Sequence, residues 1–165
     1  MIELIITDDM KNDARKKILN TNISKRKSEE KFGFDKKRIC EGYLGESMVR
    51  YYFKLKDYDD YEYDTIIDGK KADIKTITCK FKPPPHYLVT INSCYKYGEH
   101  RQKSDIYIFT RILNDYSIGW ILGYIECGRF FSLSKFVKKG EKYHNMLFKK
   151  ANANCVQISD LHKFK

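Results

Sequence analysis

The chain has 165 residues and a mass of 19.7 kDa, the size of one domain. Its 42% hydrophobic and 15% aromatic content excludes a disordered chain, although 33% of the residues are charged. The net charge of +10 is uneven: residues 40–69 are net acidic, while 15–38 and 70–103 on either side are net basic, so a polyanionic partner is expected.

No apolar run has the length of a membrane span, and the first residues lack the basic and apolar regions of a secretion signal. The five cysteines, Cys40, Cys79, Cys94, Cys127 and Cys155, are odd in number and form no CxxC pair. That pattern fits free thiols in a reducing compartment. A protein without membrane attachment is therefore expected, cytoplasmic or, for a viral chain, in the host cytoplasm.

In chain order, residues 2–6 form a short apolar run that reads as a strand or as the apolar lead-in to a helix. Asp8 or Asp9 can cap a helix running to about Asn20. Residues 21–34 are polar, basic and interrupted by glycine, and read as a loop or arm. The clearest helix spans 36–56, where apolar residues recur at helical spacing without a proline. Residues 61–67 and 71–78 read as two strands of a hairpin turned at Asp68-Gly69. After the break at Phe81-Lys-Pro-Pro-Pro-His come strands at 87–92, 105–112 and 118–126, then a short helix at 132–139 and a last strand at 156–158. This order predicts an α/β domain with a central mixed sheet flanked by helices on both sides.

Within the hairpin, Asp73 and Lys75 are two apart on a strand and so share a face, with Ala72, Ile74 and Thr76 on the other. Asp64 on the preceding strand can be folded back beside them. Two close carboxylates repel, and a cation relieves them. Oxygen ligands of this kind favour Mg²⁺, with Mn²⁺ able to substitute. Asp68 competes with Asp64 for the first acidic position. Asp64 is favoured because it lies within the strand, whereas Asp68 adjoins the turn glycine. On the 36–56 helix, Glu46 falls on a stripe with Gly42, Gly45, Val49 and Phe53. A carboxylate on such a face needs a partner or a metal.

Gly42-Tyr43-Leu44-Gly45-Glu46, then Asp64, then Asp73-Ile74-Lys75 resembles the PD-(D/E)XK nuclease superfamily, whose core is a helix with Glu, a hairpin strand with Asp, then Asp/Glu-x-Lys. The resemblance covers about residues 38–112 and extends to small phage and archaeal-virus endonucleases. Tyr63 stands where the motif has Pro, and no Gln-x-x-x-Tyr element is evident near Gln102.

The resemblance implies a restriction-endonuclease-like fold and Mg²⁺-dependent hydrolysis of DNA phosphodiester bonds that leaves a 5′-phosphate. Glu46, Asp64, Asp73 and Lys75 are then the catalytic set. Asp64, Asp73 and the Ile74 backbone carbonyl hold the metal, and Glu46 serves a second metal or a metal-bound water. Residues 1–35 form an N-terminal helix and basic arm, 36–130 the catalytic core and 131–165 a C-terminal extension of one domain. Lys70, Lys71, Lys80, Lys82, Lys96, Arg101 and Lys103 are expected to track DNA, and His100, in the same loop as the last three, is a candidate second catalytic base. A homodimer or higher homo-oligomer is expected, since a duplex has two strands to cut. A phage-type endonuclease, a junction resolvase, a restriction enzyme and a homing enzyme all remain open. A non-catalytic nucleic-acid-binding protein or an anti-defence interaction protein is the alternative.

Overall fold

The computed structural model describes residues 1–20, 36–56, 63–93, 104–144, 146–148 and 151–164. The main sheet is mixed, with five strands in the order β1-β6-β5-β3-β2. They are β1 (Ile2–Ile5), β2 (Thr65–Ile67), β3 (Lys70–Cys79), β5 (Ile106–Leu113) and β6 (Ile118–Glu126). β3 and β5 are parallel, whereas the other pairs are antiparallel.

One face of this sheet is covered by α1 (Asp8–Asn20) and α2 (Lys36–Phe53). Alternation along the strands sends Ala72, Ile74, Ile106 and Ile108 to this side, where they pack with Val49 of α2. Tyr107, Phe109, Trp120 and Leu122 point the other way, into a second core with Val89, Phe130 and Val156. That core is closed by a three-stranded sheet, β4 (Leu88–Ser93), β10 (Asn152–Gln157) and β7 (Lys135–Val137), together with the short helix α3 (Cys127–Leu133). Strands β8 (Lys142–Tyr143) and β9 (Met146–Leu147) form a separate small hairpin.

The mixed α/β architecture agrees with the expectation, but helices do not flank the sheet equally. The second face is covered mainly by strands. The expected helix at 132–139 is replaced by the end of α3 and by β7. Ser134 is already extended (φ −70°, ψ 141°), and Phe136 and Val137 pair with Asn154 and Ala153. A short apolar run cannot be told from a strand by periodicity alone, and here the partner strand decides. The last strand also begins earlier than expected, at Asn152, because β4 and β7 pair with it on either side.

In β6, Leu122 is an extra residue, since Phe109 pairs with Gly123 and Thr110 with Ile121. The bulge brings Gly123 against the C-terminal segment. A Cβ there would lie 2.4 Å from the His162 carbonyl oxygen, and Tyr124 and His162 exchange backbone hydrogen bonds at 3.0 and 2.8 Å. Among the described residues, no helix is long and apolar enough to cross a membrane.

Candidate active site

The hairpin turn is built as Asp68-Gly69 demands. Both residues have positive φ, 50° and 76°, and Ile67 pairs with Lys70 directly across them. This is the two-residue turn whose twist matches that of the strands. Asp68 is exposed at its tip, so its carboxylate stands apart from the site, and Asp64 takes the inner position.

Strand β2 is shorter than the sequence suggests, and Asp64 lies just ahead of it. Its backbone N–H still donates to the Ala72 carbonyl at 2.9 Å. Its Oδ2 then accepts from the Ile74 N–H at 2.6 Å. The carboxylate therefore lies along the edge of β3, facing the backbone between Asp73 and Lys75. Within a strand the N–H and C=O of one residue point to the same side, so the Ile74 carbonyl shares this edge with Asp64.

Asp73 and Lys75 lie on the face opposite Ala72 and Ile74. Lys75 Nζ is 2.6 Å from Asp73 Oδ2, with the Asp73 side chain 4% exposed and the Lys75 side chain 27%. That Oδ2 is buried and accepts no hydrogen bond of good geometry among the described residues. The register places Asp73 beside Tyr107 of β5. Its charge, after burial and contact with Cys127, helps to push the Tyr107 hydroxyl pKa upward. Burial pushes the Cys127 thiol up to about 11, with Asp73 and Asp105 adding to the effect against the Tyr107 hydrogen bond and the Lys75 charge.

Glu46 approaches from the helical side. Gly45 makes this possible. A Cβ on Gly45 would lie 1.9 Å from Thr76 Oγ1 and 2.9 Å from Thr110 Oγ1, so only a glycine lets α2 sit this close to β3 and β5. Gly42 plays no such part, for nothing lies within 4 Å of a Cβ there. Nor is Glu46 simply a carboxylate on an apolar stripe. Its Oε2 lies 3.4 Å from Lys17 Nζ of α1 and 3.7 Å from Arg50 Nη1 one turn along α2. Arg50 is itself buried and also binds Asp13 and Ser47.

The three carboxylates meet electrostatically at Asp64. Burial holds its pKa well above the usual carboxylate range, the charges of Glu46 and Asp73 raise it further, and the Ile74 N–H and Lys75 only partly offset this. Asp64 thus lies where groups from the two faces of the sheet come together at its edge. Three cations, Lys17, Arg50 and Lys75, stand against these carboxylates, and the oxygens that the hairpin offers to a metal ion are those of Asp64, Asp73 and the Ile74 carbonyl. Among the described residues, no three His, Cys, Asp or Glu side chains are gathered into a metal cage, and Glu46 is already held by cations.

The expected DNA-tracking residues are scattered. Lys70 lies 3.8 Å from Glu126, and Lys71 lies over the Tyr63 ring at 5.0 Å; both belong to the hairpin that carries the site. Lys80 is exposed beyond the end of β3. Lys82 pairs with Glu3 of β1 at 2.8 Å, near the opposite edge of the sheet. Lys96, His100, Arg101 and Lys103 lie outside the described residues.

Sequence reasoning missed Lys17, Arg50 and Tyr107. Arg50 was detectable as the i+4 partner of Glu46. Lys17 and Tyr107 depend on the packing of α1 on α2 and of β5 on β3, which no local pattern specifies. Comparison with models of known protein families finds no match, and comparison with curated proteins finds none either.

Proposed function

We propose that this protein is a Mg²⁺-dependent endodeoxyribonuclease of the PD-(D/E)XK type, with a restriction-endonuclease-like core, acting on DNA as a homodimer or larger homo-oligomer. One observation carries the reading: Asp64 is bonded to the Ile74 N–H at the edge of the hairpin, and the Asp73–Lys75 pair stands on the face of the same strand immediately on either side of Ile74, with the charge of Glu46 reaching Asp64 from α2. The order of helix-Glu, hairpin-Asp and Asp-x-Lys supports the same reading. A site that only bound phosphate would have no use for carboxylates at its centre.

In this reading Asp64, Asp73 and the Ile74 carbonyl hold the ion, with Mn²⁺ able to replace Mg²⁺. A bound Mg²⁺ supplies a Lewis acid that polarises the scissile phosphate and makes water more acidic. Lys75 holds the attacking water and stabilises the charge that grows on the phosphate oxygens. Asp73 keeps Lys75 aimed at that place. Glu46, fixed by Lys17 and Arg50, orients water on the helical side.

The deciding experiment incubates the protein with supercoiled, linear, single-stranded and four-way-junction DNA, in Mg²⁺, Mn²⁺ or EDTA. Cleavage that needs the metal supports the reading. Cutting of junctions alone selects a resolvase, discrete plasmid fragments select a site-specific enzyme, and a smear selects a degradative one. DNA binding with no cleavage in either metal overturns it in favour of a non-catalytic binding protein. Absence of both binding and cleavage points to a protein-directed role such as anti-defence.

A further inference from the structure

The loop between β3 and β4 carries an exposed aromatic cluster that the candidate site does not use. Phe81 is 56% and Tyr87 39% exposed. Their ring centroids are 6.0 Å apart, and the His86 ring meets Tyr87 edge-on at 5.2 Å. Single exposed aromatic residues are ordinary, but several rings gathered on one short loop mark a contact surface.

The loop is also held in place. Tyr87 N–H donates to the Pro84 carbonyl at 3.0 Å, while the N–H groups of Ile158 and Ser159 reach the carbonyls of Tyr87 and Pro85 at 2.9 Å each. Pro83, Pro84 and Pro85 fix φ along the intervening stretch. A ligand that stacks on these rings therefore pays little to order them.

Two cations flank the rings. Lys80 is exposed, and Lys82 makes an exposed pair with Glu3 at 2.8 Å, which is weak enough for a phosphate to displace. Flat rings bordered by lysines, in a chain of net charge +10, are complementary to a polyanion with exposed π faces.

We propose that Phe81 and Tyr87 form a stacking platform for unpaired bases of single-stranded DNA, with Lys80 and Lys82 on its phosphates. Duplex bases are already stacked and offer no free face, so the platform discriminates by strandedness. Stacking tolerates any base, so it confers little sequence preference. Phe81 is six residues from Lys75, so an extended chain sets an upper limit of about 20 Å between them. A strand flanking the candidate site can reach the rings; this placement rests on the nuclease reading, whereas the binding itself does not.

The test is fluorescence anisotropy in EDTA, with a dye-labelled oligothymidylate and a duplex of equal length. Phe81→Ala and Tyr87→Ala should each weaken oligothymidylate binding by on the order of ten-fold and leave duplex binding nearly unchanged. Phe81→Trp should retain or tighten it. Lys80→Ala should weaken both ligands and reduce the salt slope by about one unit. Both rings are exposed, so circular dichroism should report an unchanged fold. The proposal is overturned if the parent does not bind oligothymidylate, if the double variant F81A/Y87A binds it as the parent does, or if single strand and duplex lose equally. Cleavage in Mg²⁺ is scored separately. A parent that binds but never cuts overturns the nuclease reading alone, and one that cuts while its binding ignores both rings overturns the platform alone.

Discussion

Asp64 is bonded through Oδ2 to the backbone N–H of Ile74 at 2.6 Å, the residue between Asp73 and Lys75. This bond extends the hairpin beyond its last strand pair and sets the Asp64 carboxylate against the two residues that share the opposite face. A one-residue slip of β2 on β3 would move every side chain to the wrong face, so the Asp68-Gly69 turn, which fixes that register, also fixes the site.

Asp73 and Lys75 should separate cleanly by mutation. Asp73→Asn should reduce cleavage to background while DNA binding persists, because an acidic group next to phosphate has been removed. Lys75→Ala should lower kcat by about 10²–10³-fold with little change in KM, the signature of an interaction made in the transition state. Lys75→Arg should rescue poorly, since a planar guanidinium does not fit the place of an ammonium. Leaving Asp73 buried without its cation should also cost about 1–2 kcal/mol of stability, reduced by the partial exposure of Lys75. The double variant should be less than additive, which urea denaturation can measure. Unchanged kcat in Lys75→Ala with weakened affinity would make Lys75 a simple phosphate clamp.

The stability of the fold should depend on pH through Asp64. The unfolded chain releases this proton near its ordinary value of 3.8, whereas burial and the charges of Glu46 and Asp73 hold the folded value well above it. The stability contributed by this group is present below 3.8 and is lost as the pH rises through the folded value. Asp64→Asn should therefore match the parent in acid and melt higher than the parent at neutral pH. Mg²⁺ should oppose the same penalty. At about 100 times its Kd it should add roughly 2.7 kcal/mol, at neutral pH only, and Asp64→Asn should abolish the gain. A melting temperature that ignores Mg²⁺ at neutral pH would remove the metal from the proposal.

Arg50 joins the two helices to the site. It is 4% exposed and contacts Asp13, Ser47 and Glu46. Asp13 is held below its usual range: burial opposes this, but the Ser47 hydroxyl and the Arg50 charge outweigh it. Stability from Asp13 is present above its unfolded value of 3.8 and is lost as pH falls through the folded one, the opposite sign to Asp64. Arg50→Met should cost about 2–3 kcal/mol near neutrality by taking a buried cation from Asp13 and Glu46, which keep Ser47 and Lys17 respectively, with a smaller loss in acid. Urea denaturation at the two pH values measures both. An equal loss at both would show that Arg50 acts by packing alone.

Much of this arrangement is legible in residue order. The Asp-Gly turn announces its own geometry, and strand alternation by itself assigns Asp73 and Lys75 to one face. The α2 helix is equally plain from its period. What escapes is non-local. Whether Phe136 and Val137 extend α3 or form β7 depends on Asn154 and Ala153 as partners. Which glycine of α2 matters depends on where Thr76 and Thr110 stand in the sheet. Glu46 reads as an intrusion on an apolar stripe because Lys17, its partner, lies on another helix. The centre of the candidate site lies within one hairpin and is readable for that reason, whereas the residues around it come from elements that meet only in the fold.

Gly42 and Gly45 provide the last prediction, because the sequence treats them alike and the structure does not. Gly42→Ala meets nothing within 4 Å and gains helix propensity, so it should be neutral or stabilising by up to about 1 kcal/mol. Gly45→Ala places a methyl group 1.9 Å from Thr76 Oγ1 and 2.9 Å from Thr76 Cβ. Thr76 is branched at Cβ and accepts a hydrogen bond from Thr110 at 2.9 Å, so it cannot swing aside. The helix must lift off the sheet instead, at a cost of about 1–3 kcal/mol. Because Glu46 is the next residue, that movement also takes its carboxylate away from Asp64, and cleavage should fall by more than the lost stability accounts for at a temperature where the variant stays folded. Thr76→Ala in the same chain removes the closer contact but leaves its Cβ, so it should restore part of both losses. Thermal melts and single-turnover cleavage of the two alanine variants decide the matter, and equal behaviour of Gly42→Ala and Gly45→Ala would show that α2 does not depend on this close approach to hold Glu46 at the site.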